Sequence, residues 1–418
     1  MTTRLRALTL ALCCIALIAA DWPRFRGPNG EGISEDKNVP VEWSATKNVL
    51  WVTDIPGKGN SSPIISGDKL FLQTAGKDGS GRALLCLAAD SGKELWKYQA
   101  DGANAHYRRD NSLASSTPAT DGERVYALFW DGEGQVLIAC DMEGKELWTR
   151  KLGGFKSQHG AGHSPVVYDG KVFLNNDQIG KAVVMAFDAK SGKPLWQAER
   201  KAYRTCYNSP FMRPTADGKK ELIIASTAGM AGYDPDSGEA NWKWDWNWPA
   251  GKGELRMVGA PALHDGVLFG YTGSGGGDRG VIALRAGKDL PEGKDRLVWQ
   301  SDDRRGGYPY VPCMLSFGDY LYSIQDGRRP KLACIVPATG KAVWEEELTT
   351  TFYSSPVIID GKVYATDYAG TTFVYAAKPT FELLAKNSLE EEVQASPAVA
   401  DGRLYLRTAS KLYCIGKK

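Results

Sequence analysis

The sequence predicts an all-β protein, an eight-bladed β-propeller whose N-terminal strand closes the last blade. Three observations predict it. A strand-turn-strand unit ending in Trp recurs along the chain, a Pro-led hairpin appears eight times, and the last repeat lacks an outer strand that the segment around Trp51 can supply.

The Trp unit is best preserved as Phe187-Asp188-Ala189-Lys190-Ser191-Gly192-Lys193-Pro194-Leu195-Trp196. A short apolar strand runs into a Ser-Gly reversal, Gly192 frees the backbone for a tight turn, and Trp196 starts the next strand. Copies end at Trp96, Trp148, Trp242 and Trp344, and a weaker one without the Gly ends at Trp299. The hairpins are led by Pro63, Pro118, Pro165, Pro210, Pro261, Pro312, Pro356 and Pro397, each followed by an apolar strand, an Asp-Gly or Gly-Asp turn and a second apolar strand. Asp-Gly between alternating runs, as at Asp360-Gly361, signals a hairpin because the primed turns need positive φ. Each repeat thus supplies two strands at the hairpin, a third before the Ser-Gly or Thr-Gly turn and a fourth at the Trp. Four antiparallel strands in a unit of 41 to 55 residues describe a propeller blade.

Ring closure follows from a count. The last repeat, Ala395 to Ile415, stops after its third strand, while Trp51 stands 12 residues before Pro63, the same gap as from Trp344 to Pro356. The strand around Trp51 is therefore expected as the outer strand of the last blade, which removes an exposed edge. The seventh repeat carries Thr380-Phe381-Glu382-Leu383-Leu384 where the Gly and Trp should be, so one docking contact should be weaker.

By length alone, 418 residues would suggest two or three domains, but repeats that share one closed core override that prior. The formal charge of +2 comes from balanced acids and bases without basic runs, and nothing asks for nucleic acid. Met1 to Ala20 reads as a secretory signal: Arg4 and Arg6 lead an apolar run, and Ala20 offers a small residue for cleavage before Asp21. The run is too short for a retained membrane span, and Cys13 and Cys14 lie inside it, which argues against lipidation. The expected location is outside the cytoplasm, periplasmic or extracellular, and the expected state is a monomer. Asp21 to Asn48 carries no repeat; its Gly and Pro residues imply turns, and Trp22, Phe25 and Trp43 are anchors for a strap lying on the domain from residues 49 to 418.

Six cysteines remain in the expected mature chain. An even count in an exported protein invites a disulfide framework. The repeat argues otherwise for Cys86, Cys334 and Cys414, which occupy a slot where a small side chain fits and read as buried free thiols. Cys140, Cys206 and Cys313 carry no assignment.

These units resemble the quinoprotein-type propeller repeat, whose tryptophan-docking motif reads roughly Ala-x-Asp-x-x-Thr-Gly-x-x-x-Trp. Ala186, Asp188, Ser191, Gly192 and Trp196 match it with Ser for Thr, and Asp234, Ser237, Gly238 and Trp242 match it in part. The opening Trp22-Pro23-Arg24-Phe25-Arg26-Gly27-Pro28 looks like the start of secreted bacterial members of the superfamily. The resemblance implies docking roles for Trp51, Trp96, Trp148, Trp196, Trp242, Trp299 and Trp344, each a large apolar contact between neighbouring blades. It is compatible with two kinds of relative: dehydrogenases that hold pyrroloquinoline quinone, and non-catalytic propellers such as the outer-membrane protein assembly factor of the BamB type. In the alcohol dehydrogenases the quinone is typically bounded by a disulfide between adjacent cysteines and held beside calcium by Glu, Asn and Asp. The expected mature chain has no adjacent cysteine pair and no Cys-x-x-Cys-His for haem, which disfavours the quinone with calcium; no cofactor, metal or catalytic residue is assigned.

His159 and His163 stand four apart, but they flank Gly160-Ala161-Gly162, a poor helix with no third ligand nearby, and read as loop residues at the channel mouth. Ser164 belongs to a recurring Ser-Pro feature, so a Ser-His hydrolase is not supported. Trp242, Trp244, Trp246 and Trp248 alternate on one strand face, either a stacking platform for sugar or peptide or, favoured two to one, packing between blades. The loops entering each Pro strand converge at one end of the channel. They carry Tyr107, Arg108, His159, His163, Arg204, Tyr207, Asn208, Arg256, Tyr308, Tyr310 and Tyr353, a candidate ring for an anionic or glycan ligand. The reading is an exported, non-catalytic scaffold that binds protein or glycan at the cell envelope, with a quinone-dependent sugar or alcohol oxidoreductase and an extracytoplasmic ligand sensor as alternatives.

Overall fold

Proline cannot donate into a ladder, and the recurring Pro stands ahead of the first strand of each hairpin. Pro63 precedes Ile64–Ser66, Pro165 precedes Val166–Tyr168 and Pro356 precedes Val357–Ile359. The hairpins that follow turn at Asp169-Gly170, Asp265-Gly266, Asp360-Gly361 and Asp401-Gly402, where both residues have positive φ, the signature of type I′ turns. This computed structural model describes residues 21–417 except positions 77, 103, 179, 247–254, 289, 291–295, 304 and 328. The predicted signal segment lies outside the described residues.

The strands form eight sheets that run outward in chain order and antiparallel, except where the first two strands of the chain join blades 7 and 8, and this is the eight-bladed propeller the repeat predicts. Blade 3 is typical: Val166–Tyr168, Lys171–Asn176, Ala182–Asp188 and Pro194–Arg200 pair in succession, with Phe173 opposite Ala186 and Ala186 opposite Trp196. The ring closes as predicted. Val49–Asp54 pairs antiparallel with Lys411–Ile415 of blade 8, placing Trp51 opposite Cys414. Among the described residues no helix is long and apolar enough to cross a membrane. All six described cysteines are buried and free, Cys140, Cys206 and Cys313 included.

Six of the seven candidate docking tryptophans reach the next blade. Trp51 and Trp148 each donate Nε1 to the carbonyl of Ala89 or Ala189. Trp96, Trp196, Trp299 and Trp344 donate likewise to Met142, Pro235, Pro337 and Lys378. Gly192 shows why the motif pairs Gly with Trp: its φ is +65, and a Cβ there would lie 2.5 Å from Trp148 Cδ2. Trp242 does not dock in this way. Its neighbour, blade 5, has no Ser-Gly turn; Nε1 instead donates to Glu221 Oε1 at 3.1 Å within its own blade, and the Arg296 guanidinium lies 5.0 Å over the ring. Trp244 and Trp246 are buried with it, 6.1 Å apart edge to face, while Trp248 lies outside the described residues.

The expected strap is more than a surface tie. It enters at the Asp-Gly end, where Asp21 accepts from the Gly67 amide, and Trp22 bridges Ile65 of blade 1. The Pro23 carbonyl then takes the Thr120 amide of blade 2, Arg26 donates to Met314 O of blade 6, and Ile33–Ser34 pairs in parallel with Val357–Ile359 as a fifth, innermost strand of blade 7. The segment therefore fills one end of the channel. Arg24 and Arg26, both buried, tie the loop together through the carbonyls of Pro28, Gly30 and Glu31. Burial lowers the Arg24 pKa to about 10, with Glu31 opposing the shift. Further on, Trp43 stacks on Tyr364 at 6.1 Å, and Asn387 brackets the arm through Trp43 N and Val41 O. This wedge occupies the boundary between blades 7 and 8, where the seventh repeat supplies no Trp.

Candidate ligand-binding site

A four-stranded meander places two of its connections at each end: the loop entering the first strand and the turn between the second and third share one end of the channel. That end is open. It holds a cavity of about 440 Å³ whose floor includes Phe25 from the plugging arm. Its lower wall is a belt of hydroxyls from residues preceding the Pro strands. The amide of Ser355 donates to Ser396 Oγ at 2.9 Å, that of Ser396 to Ser62 Oγ at 3.0 Å, that of Ser62 to Thr117 Oγ1 at 3.0 Å and that of Thr117 to Ser164 Oγ at 2.9 Å. Cys313 continues the belt on the other side, its amide donating to Ser355 Oγ and its Sγ accepting from Ala260 N. The recurring Ser-Pro feature thus links one blade to the next. Ser164 Oγ is an acceptor in this belt and is not paired with His163.

Of the candidate mouth residues, the structure brings Arg108, His159, Tyr207, Arg256, Tyr310 and Tyr353 around this cavity. Arg204 lies in an adjoining pocket of about 140 Å³ that shares Tyr207 and Arg256 as a wall. Tyr107 packs beside Trp130 and Phe155 at the rim. The other three are held elsewhere. His163 is fully buried, 3.2 Å from Gln135 Nε2 and packed on Phe155; burial drives its pKa down to about 4. Asn208 is buried between Asn175 and the Ala225 carbonyl. Tyr308 donates to Gly340 O and stacks on Trp299, so it belongs to the docking seam. For these three, proximity to the loop in sequence concealed a side chain turned into the blade.

Among the lining residues that escaped the sequence reading are Phe25, from the floor, and Ser274, Arg279 and Asp326, from the turns between second and third strands. Arg279 and Asp326 are both buried, 3.3 Å apart, and Asp326 Oδ1 also accepts from the Tyr310 amide at 2.7 Å. Burial raises the Asp326 pKa against the opposing field of Arg279. The Arg279 guanidinium sits 5.6 Å over the Tyr310 ring.

The remaining charge surrounds His159. Its Nε2 lies 3.4 Å from Arg108 Nη1, and its buried Nδ1 has no partner among the described residues. Burial and then the fields of Arg256, Arg108 and Arg204 hold it below its ordinary pKa, so it stands neutral at pH 7. Arg108 pairs with Asp110 at 3.3 Å, and Arg256 donates to Gln158 Oε1 at 3.1 Å. Burial also raises the Tyr207 pKa to about 12, keeping that phenol neutral. Across the cavity and its side pocket, five guanidiniums, those of Arg108, Arg109, Arg204, Arg256 and Arg279, face two carboxylates, Asp110 and Asp326.

A quinone with calcium would need an oxygen cluster for the metal beside the arginines. Among the described residues no group of three His, Cys, Asp or Glu side chains is placed to hold a metal ion. Asp110 is engaged by Arg108 and Arg109, and Asp326 by Arg279 and Tyr310 N. The arginines of the lining suit the carboxylates of an anion, and Asp110 and Asp326 are the two carboxylates it offers to a cation.

Comparison with known proteins sets these features in context. A family model described as outer membrane protein assembly factor BamB matches residues 33–141, 132–294 and 288–380. Polyvinylalcohol dehydrogenase of Pseudomonas sp is 27% identical over 210 residues, covering 43% of this chain and 31% of that protein. The outer membrane protein assembly factor BamB of Moranella endobia is 24% identical over 254 residues, covering 54% of this chain and 58% of that protein. The match thus spans less than two thirds of the length of either relative. Among solved structures, a europium-containing methanol dehydrogenase superposes with a TM-score of 0.72 at 12% identity, over 95% of this chain and 98% of that one. At such identity the likeness speaks to the fold. Eight blades, six of whose seams carry a docking Trp, together with a family model that spans most of the chain, establish that it belongs to the BamB-type family of quinoprotein-like repeat propellers.

Proposed function

We propose that the protein is an exported, non-catalytic propeller of the cell envelope that acts as a monomer and binds an anionic group of a protein or glycan in the open cavity. The observation that carries this reading is a cavity stopped at one end and lined by an excess of guanidiniums over carboxylates. Such a site can hold a ligand, and the arginine forks recognise carboxylate or sulfate by paired hydrogen bonds. Among the described residues Ser164 and His163 do not form a nucleophile-base pair: Ser164 Oγ accepts the Thr117 amide, and His163 is enclosed by Gln135 and Phe155. The assembly factors among the relatives support an envelope role.

The dehydrogenase relatives favour a second reading, a quinone-dependent oxidoreductase. One titration separates the two. Purified protein is mixed with pyrroloquinoline quinone and calcium, and both heat of binding and dye reduction with alcohols or sugars are recorded. The scaffold reading expects no turnover; stoichiometric quinone binding with turnover would replace it by the oxidoreductase.

A further inference from the structure

The cavity and its side pocket together specify more than an anion. The belt matters first. The amides of Ser62, Thr117, Ala260, Cys313, Ser355 and Ser396 are all committed to neighbouring hydroxyls or the Cys313 sulfur. An extended peptide bound by strand addition needs free backbone donors and acceptors in register, and these amides are already used. What the wall does present is hydroxyl and amide side chains, with the rings of Tyr207, Tyr310 and Tyr353 among them. Aromatic faces beside many short polar groups suit a pyranose, which has apolar C–H faces and an equatorial rim of hydroxyls.

The second consideration is the charge. Among the described residues no carboxylate pairs with Arg204 or Arg256, whereas Arg108 and Arg279 each have an aspartate. Arg256 stands in the wall common to both compartments, steadied by Gln158, and Arg204 lies beyond it beside Tyr203, which is 48% exposed. A ring in the main cavity that directs its acid group at Arg256 would leave its neighbour in the chain at Arg204 and Tyr203.

We infer that the ligand is an acidic saccharide at least two units long, one unit in the main cavity with its acid group toward Arg256 and Arg108, and the next in the side pocket against Arg204 and Tyr203. This inference rests on the binding reading above and names the ligand class of that site. No covalent step is involved.

The test is calorimetry of the full chain with galacturonic acid, its disaccharide and trisaccharide, a neutral galactose oligomer of equal length, and oligoglutamate. The disaccharide should bind at least tenfold more tightly than either the monosaccharide or the neutral oligomer. Arg204→Ala should weaken the disaccharide at least tenfold more than the monosaccharide, and Arg256→Ala should weaken both acids. Tyr203→Ala, at an exposed position that folding does not need, repeats the Arg204 test without a charge change and should cost only the longer ligand. Equal binding of neutral and acidic oligomers, or an equal loss for both lengths in Arg204→Ala, overturns the inference. Binding of oligoglutamate without binding of the uronides also overturns it, in favour of an acidic protein partner, and leaves the anion-binding scaffold standing. If none of these acids binds and the quinone titration shows turnover, the scaffold reading fails as well.

Discussion

Substituting Gly192 by Ala separates two costs that the docking motif combines. A residue with a Cβ at φ near +65 is strained by about 1–2 kcal/mol. Gly170, in the hairpin of the same blade, has φ +68 and nothing within 4 Å of the added carbon, so Gly170→Ala should show that strain alone. At Gly192 the new methyl would lie 2.5 Å from Trp148 Cδ2 and 2.6 Å from Cε3, which adds about 1–3 kcal/mol of overpacking. Trp148→Ala removes a ring that is 7% exposed and should cost about 3–5 kcal/mol. Little of that is the lost indole hydrogen bond, because Ala189 O keeps the Tyr126 hydroxyl at 3.1 Å. In the double variant the clash has no partner, so the two changes should cost about 1–3 kcal/mol less than their sum. Urea unfolding followed by circular dichroism, compared at the midpoints, reads all four proteins. If Gly192→Ala proves no worse than Gly170→Ala, or keeps its whole penalty when Trp148 is absent, the glycine is not there to admit the indole.

Trp43→Ala should open the boundary between blades 7 and 8 at a cost of about 3–5 kcal/mol, with hydrogen exchange in Leu383–Ser388 accelerated ahead of the other outer strands. His163 has its folded pKa depressed to about 4 against an unfolded value near 6.5, so the unfolded chain binds the extra proton first. Stability should therefore fall as pH drops from about 6.5 to about 4, by on the order of 3 kcal/mol, and His163→Gln should flatten that part of the stability profile. Acid binding beside His159 should draw in a proton as the arginine fields are neutralised, seen as a buffer-dependent heat near pH 6 that His159→Gln removes. Phe25→Ala, which deepens the cavity floor while sparing the bonds made by Arg24 and Arg26, should weaken uronide binding by about tenfold in calorimetry.

The ring was legible because its determinants are local and repeat. A Pro, an Asp-Gly pair and a Gly-Trp pair each act within one blade or across one seam, and the missing strand at the end could be matched to an extra one at the start. Trp242 shows where that stops: its own motif keeps the Asp, Ser-Gly and Trp, but docking depends on the facing turn in blade 5, and Arg296 lies over the ring instead. The mouth was half legible. Loops ahead of the Pro strands were found, yet side-chain direction was not, so His163, Asn208 and Tyr308 were counted when they point into the blades. Arg279 and Asp326 lie on the alternate connection of the meander, which reaches the same end by the parity of the strands. That parity was available from the strand count. The course of the arm was not, because its contacts with blades 1, 2, 6 and 7 are set by three-dimensional closure and have no periodic trace.

The arm imposes an order on assembly. Its first residues seat against blades 1 and 2, made early, but the rest needs blades 6 and 7, and the strand that follows it waits for Lys411–Ile415, so the arm cannot settle in full until the last blade is made. Such distant partners raise contact order and slow the final step. Until then the blade 8 side of the boundary that Trp43 fills is missing, and this indole stays partly uncovered, a point at which the nascent chain is prone to aggregate.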